Sequence, residues 1–166
     1  MEITDKITKT QIREWLDEIP DPEIPVISLM ELGVVRDVHI DGNRVQVDIT
    51  PTYSGCPAMR VMEEDIHRKL REKGIERVIT KTVLSPAWTT DWLSDDAKQK
   101  LKKYGIAPPG KTGLTNNPIH FAKENVPCPF CDSTDTKLES QFGSTACKSL
   151  YYCNACQQPF EHFKCI

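Results

Sequence analysis

Thr50-Pro-Thr-Tyr-Ser-Gly-Cys-Pro-Ala-Met59 separates two stretches of different hydrophobic period, and that change decides how the chain folds around it. Upstream, Val45, Val47 and Ile49 alternate with polar residues, the period-two pattern of a half-buried strand. Downstream, Met59, Met62, Ile66 and Leu70 recur at helical spacing. Pro57 suits a first helical position, where its missing N–H and fixed φ do no harm, so Cys56 falls at or next to the N-cap. A thiol there faces unpaired backbone N–H groups and the positive end of the helix dipole, and both favour the thiolate that binds metal or attacks sulfur. Cys56 is the only cysteine before Cys128. The competing reading is a small buried hydrophobe. Thr50, Thr52, Tyr53 and Ser54 offer hydroxyls beside it, and Gly55 permits close backbone approach. No histidine or carboxylate flanks Cys56, so a cysteine-protease-like mechanism would need a base supplied by the fold.

Working outward, Ile12, Trp15, Leu16 and Ile19 mark one face of a first helix, with Thr8 and Gln11 as a capping box. Pro20, Pro22 and Pro25 stop it, and the run Pro20 to Pro25 holds Asp21 and Glu23, either solvated acids on a stiff connector or the lining of a site. Val34 to Ile40 and Arg44 to Thr50 read as strands joined by an Asp41-Gly42-Asn43 turn. The central helix ends near Gly74, and a third strand spans Arg77 to Leu84. Trp88 and Trp92 follow in a loop, either covering the core edge or walling a pocket near Cys56. Ser94 caps a last helix that Gly105 ends. The order α-β-β-α-β-α predicts a compact α+β domain with a three-stranded sheet over residues 1–107. If strands two and three are parallel, the central helix is their crossover. An exposed edge of that sheet would let two copies pair as a homodimer.

Proline, glycine and asparagine over 108–126 read as a linker, and composition then shifts: six of the seven cysteines lie in 127–166. Cys128-Pro-Phe-Cys131 and Cys153-Asn-Ala-Cys156 are two Cys-x2-Cys knuckles, each a tight turn presenting two thiolates to one ion. The spacing predicts a tetrahedral S4 site with zinc as the expected ion, iron in a rubredoxin-like site being the alternative. Four cysteine ligands leave no open position for catalysis, so the ion is structural, and a piece this small depends on it for stability. Cys147 and Cys165 are left over and are expected to pack or lie exposed, with His120 and His162 also unassigned. A net charge of −3 without a polybasic run argues against nucleic acid, and no apolar stretch is long enough for a membrane span. The N-terminus lacks the pattern of a signal peptide, and cysteine clustered in this way suits a cytoplasmic protein.

Asp21-Pro-Glu-Ile-Pro25, Glu31-Leu-Gly-Val-Val35, Thr50-x-Thr52 with Gly55-Cys56-Pro57, and Trp88-Thr89 resemble the small iron–sulfur-assembly domain of SufT-like proteins. With Phe142-Gly-Ser-Thr-Ala-Cys147-Lys148 and Pro159-Phe-Glu-His-Phe-Lys-Cys165 of the tail, the chain resembles the PaaD-like family of bacterial phenylacetyl-CoA epoxidase systems. That resemblance implies phenylacetate degradation, in which a multicomponent di-iron oxygenase with a flavin and iron–sulfur reductase epoxidises an aromatic ring. It implies an accessory component that helps mature metal centres, with the oxygenase or reductase subunits and iron–sulfur assembly proteins as partners. The family's functional thiol falls on Cys56, its acidic loop on Asp21 and Glu23, and its zinc ligands on Cys128, Cys131, Cys153 and Cys156. Thr50, Thr52 and Trp88 would support the thiol, which would hold iron or an iron–sulfur cluster transiently. No catalytic residue is expected: di-iron oxygenases draw on paired Glu-x-x-His motifs, and Glu64-Asp-Ile-His67 stands alone here. The alternative is a structural component of the epoxidase that docks through the ribbon. A thiol oxidoreductase is weaker, since Cys56 has no resolving cysteine nearby in sequence.

Overall fold

The computed structural model describes residues 7–110 and 126–164. The chain divides into two compact units, 1–88 and 89–166.

In the first unit, α1 (Lys9–Asp17) starts at Thr8, whose hydroxyl accepts from the Gln11 N–H at 3.2 Å while the Gln11 side chain accepts from the Thr8 N–H at 2.9 Å. This capping box satisfies two of the N–H groups that a helix start leaves unpaired. Ile12 and Leu16, one turn apart, are its buried contacts. Strands β1 (Val35–Asp41) and β2 (Arg44–Ile49) pair antiparallel through a two-residue turn, where Gly42 takes φ +56°. Helix α2 (Ala58–Glu72) buries Ala58, Met62, Ile66 and Leu70 at four-residue intervals, so a single stripe faces the core. Strand β3 (Arg77–Thr82) runs parallel to β2, from Arg44 opposite Arg77 to Ile49 opposite Thr82, and the sheet order is β1-β2-β3. A parallel pair needs a crossover, and α2 supplies it.

Period two holds along β2. Val45, Val47 and Ile49 are buried, while Gln46 and Asp48 are half-exposed on the other face, where Asp48 meets His39 at 3.1 Å. Helix α1 packs on α2 and β1, and α2 packs on β3, so the helices enclose the buried side chains of the sheet. The α+β architecture with one three-stranded sheet is the one expected from the sequence.

The second unit opens with a 3-10 turn (Thr90–Trp92) and α3 (Asp95–Tyr104), capped by Ser94 and closed by Gly105 at φ +92°. Its sheet has four strands in the order β4-β7-β6-β5: β4 (Ile106–Ala107), β5 (Thr136–Ser140), β6 (Lys148–Cys153) and β7 (Pro159–Phe163). Composition places the domain boundary near residue 107, whereas the compact units part after Trp88. The physical reason is β4, which pairs parallel with β7, Ile106 opposite Glu161, and carries α3 into the second unit. A two-residue strand has no periodicity to read. Of the stretch 108–126 expected to be a linker, 111–125 lies outside the described residues.

Ile66 is fully buried at the centre of the α2 stripe. Ile66→Ala should destabilise the first unit by about 2–5 kcal/mol, measured by urea unfolding followed through helical circular dichroism.

Candidate functional site

Because β1 is antiparallel to β2 and β3 is parallel to it, the start of β1 and the ends of β2 and β3 lie at one end of the sheet. Three connecting segments therefore converge there: 18–34 entering β1, 50–57 leaving β2, and 83–88 leaving β3. Open α/β sheets bind ligands outside the carboxyl ends of their parallel strands. Backbone hydrogen bonds tie this end together, from Thr50 N–H to the Val34 carbonyl (2.9 Å), from Val34 to Leu29 (3.1 Å), from Leu29 to Ile19 (3.0 Å) and from Val83 to Ile49 (2.7 Å).

Each first-unit residue singled out from the sequence sits in one of these segments. Cys56 lies one residue before the N-cap Pro57 and is 8% exposed, with its N–H donating to the Tyr53 carbonyl and its carbonyl accepting from Met59. Thr50 and Thr52 are buried beside it in sequence. Asp21 is 2% exposed, so it is no solvated acid. Its Oδ1 accepts from the N–H groups of Glu23 (2.9 Å) and Ile24 (2.7 Å), which shapes the turn through Pro22. Glu23 is half-buried on that turn. Trp88 is buried, and its indole N–H donates to the Leu32 carbonyl at 2.8 Å, fastening the third segment onto the first. Among the described residues no hydrogen bond joins the Cys56 sulfur to either carboxylate. Trp92 belongs to the second unit.

In that unit the two knuckles repeat one backbone design. The Cys128 carbonyl accepts from the Asp132 N–H and the Cys128 N–H donates to the Ser133 carbonyl; Cys153 does the same with Gln157 and Gln158. Asp132 and Gln157, at equivalent places, both take φ +59°, the left-handed conformation that closes each turn. The four sulfurs lie within 4.8 Å of one another, with Cys128 to Cys156 at 3.7 Å and Cys131 to Cys153 at 3.6 Å. A tetrahedron with metal–sulfur bonds of about 2.3 Å has edges of about 3.8 Å, so the residues fit a four-cysteine metal site. Charge points the same way. Backbone N–H donation from Cys156 lowers the Cys153 thiol to about 7, whereas burial pushes the Cys156 thiol up to about 12. Were all four sulfurs to ionise at these separations, a cation would be needed to balance them.

The ligands stand on a small core of Ala107, Val126 and Phe160, with Tyr151 stacked on Phe160. Ala107, on β4, is a supporting residue that sequence reasoning does not reach, since nothing in a Gly-Ile-Ala run signals proximity to cysteines. Cys147 is buried, its sulfur 3.1 Å from the Thr145 hydroxyl. Cys165 and His120 lie outside the described residues. The stretch 142–148 wraps Glu161, whose carboxylate accepts from Lys148 Nζ at 2.8 Å and from the Ser144 N–H at 2.5 Å. A Cβ on Gly143 would come within 2.6 Å of that carboxylate, which accounts for glycine there.

The fold and the site define an iron–sulfur-assembly-type unit followed by a zinc ribbon. Residues 9–79 match the family described as "Iron-sulfur cluster assembly protein", and residues 115–164 match the "PaaD zinc beta ribbon domain". The chain is 45% identical over 163 residues, 96% of each chain, to the Escherichia coli (strain K12) protein named as component D of a "Putative 1,2-phenylacetyl-CoA epoxidase", and it belongs to that PaaD-like family. It is also 32% identical over 96 residues, covering 57% of this chain and 90% of the other, to an "Fe-S protein maturation auxiliary factor" of Porphyromonas gingivalis (strain ATCC BAA-308 / W83). Among solved structures, the DUF59 domain from Bacillus anthracis aligns with a TM-score of 0.53 at 26% identity, over 56% of this chain and 90% of that one. No helix among the described residues is long and apolar enough to cross a membrane.

Metal removal separates the two units. A chelator should abolish the cooperative melting of the second unit while leaving the α1 and α2 helical signal in place, followed by circular dichroism with fluorescence of Tyr151 and Tyr152. Since binding displaces thiol protons, the affinity for added zinc should fall about tenfold or more from pH 7.5 to 6.5, read by competition with a chelating dye.

Proposed function

We propose that this chain is an accessory maturation factor of a phenylacetyl-CoA epoxidase, acting in phenylacetate degradation and carrying no oxygenase chemistry of its own. In this reading Cys56 transiently holds iron or an iron–sulfur cluster for the oxygenase or reductase subunits, its clients. Asp21, Glu23, Thr50, Thr52 and Trp88 form the frame around that thiol. Asp21 acts by shaping the turn, since its Oδ1 is committed to backbone N–H groups, and Glu23 is the acid the turn presents. The ribbon, with zinc on Cys128, Cys131, Cys153 and Cys156, serves as a rigid module that docks the client. The ion supplies cross-linking of the two knuckles and leaves no position for substrate. Iron–sulfur assembly proteins would load Cys56, all within the cytoplasm.

The observation that carries the reading is the placement of Cys56. Its thiol belongs to the segment leaving the carboxyl end of β2 for the start of α2, at the end of the sheet where the three connecting segments converge. The family match over this unit, and the name of the maturation factor from Porphyromonas gingivalis, point the same way. Burial of Cys56 favours a second reading, a structural component that needs no chemistry at this sulfur.

The two part on one measurement. Oxygenase and reductase subunits are purified anaerobically from cells carrying either the intact chain or Cys56→Ala, with circular dichroism confirming that both forms fold. Maturation predicts at least a threefold loss of iron in one client, which names the target. Full loading and full epoxidase activity with the variant would leave the structural reading in place.

A further inference from the structure

The second unit contains a cavity of about 530 Å³ lined by Ala107, Pro108, Val126, Pro127, Pro129 and His162, with Lys102 and Asp132 at its rim. Its volume lies within the range of small-molecule sites. Alanine and proline side chains lose no rotamer freedom on burial, so these walls hold their shape before anything binds.

His162 gives the cavity a polar feature that packing does not explain. It is 5% exposed and touches the edge of Tyr151 through its ring, yet its imidazole has no hydrogen-bond partner among the described residues. Its backbone belongs to the sheet, opposite Ser149 on β6 and Ala107 on β4, and its carbonyl also lies 3.5 Å from the Ser149 hydroxyl. Burial holds the ring neutral, with its pKa lowered to about 4, so at neutral pH it offers one N–H donor and one acceptor nitrogen. At the rim, Lys102 pairs with Asp132, but both side chains are largely solvated, so the pair is weak and open to exchange with a ligand anion.

We infer that this cavity binds a small organic carboxylate, its apolar body against Val126, Pro127 and Pro129 and its carboxylate between the His162 ring N–H and the Lys102 ammonium. The site borders the four-cysteine cluster through Cys128 but calls on none of its sulfurs. It does not involve Cys56 and does not depend on the maturation reading.

Nuclear magnetic resonance of the zinc-loaded full chain with labelled histidine tests it, using benzoate and hexanoate as probes and benzyl alcohol as the uncharged control. The expected result is a saturable shift of the His162 ring resonances with either carboxylate, half-saturating below about 10 mM. Lys102→Met, a change at an exposed position, should weaken benzoate at least fivefold and leave benzyl alcohol unchanged. His162→Phe should weaken benzoate to a similar extent, read from the Val126 methyl resonances, with zinc content confirming that the unit is intact. Shifts that do not saturate, or equal binding of benzoate to the parent and to Lys102→Met, would overturn the inference. Binding of benzyl alcohol with none of benzoate would overturn the carboxylate assignment.

Discussion

The parallel pairing of β2 with β3 is the constraint from which the rest of the first unit follows. Two strands running the same way cannot be joined by a tight turn, so the chain must return along the length of the sheet, and α2 is that return. The return has to begin where β2 ends. It therefore begins at the segment holding Thr50, Thr52 and Cys56, and the thiol arrives at a helix start as a geometric consequence. The same pairing sends the segment after β3 to that end, where Trp88 reaches the Leu32 carbonyl. One topological choice thus gathers residues distant in sequence, over an interior in which Val45, Val47 and Ile49 of β2 and Met62, Ile66 and Leu70 of α2 are buried together with Ile12 and Leu16 of α1.

The second unit obeys a different constraint. Its buried core is small, and the turns carrying the ligands are shaped by backbone hydrogen bonds that end in a residue of positive φ. These features position sulfurs but do not neutralise them. Stability and charge balance both call for the ion, which makes metal binding part of folding in this unit rather than an addition to it. The first unit carries its own core and has no such dependence.

Legibility in the sequence followed the length and regularity of each signal. Helix α2 spans fifteen residues with an unbroken stripe, and its start at Pro57 and stop at Gly74 could be read directly. The hairpin was equally plain, because a two-residue turn at Gly42 sets its register. The knuckles were readable because ligand spacing is dictated by the metal. Asp21 was not: nothing in Pro-Asp-Pro says whether a carboxylate faces water or caps its own turn, and the answer comes from the surrounding bridge between Pro20 and Ser28. The affiliation of α3 was equally hidden, since it rests on a two-residue pairing with a strand near the far end of the chain. The place of α3 depends on a long-range partner, whereas Asp21 bonds within three residues of itself and only the direction its carboxylate takes escapes the local pattern.

The placement of β4 decides which edge of the ribbon sheet is left open. An unpaired strand edge is a template for another chain, and a sheet of β5, β6 and β7 alone would expose β7, with its buried phenylalanines, along one side. Two residues of β4 cap that side and offer too short a ladder for a stranger to extend. The opposite side is guarded by different means. β5 has a register irregularity between Leu138 and Ser140 and an ion pair of Lys137 with Glu139 on its flank. Ile106 and Ala107, from upstream of the cysteine-rich tail, thus cover the edge of β7 that β5 and β6 leave open.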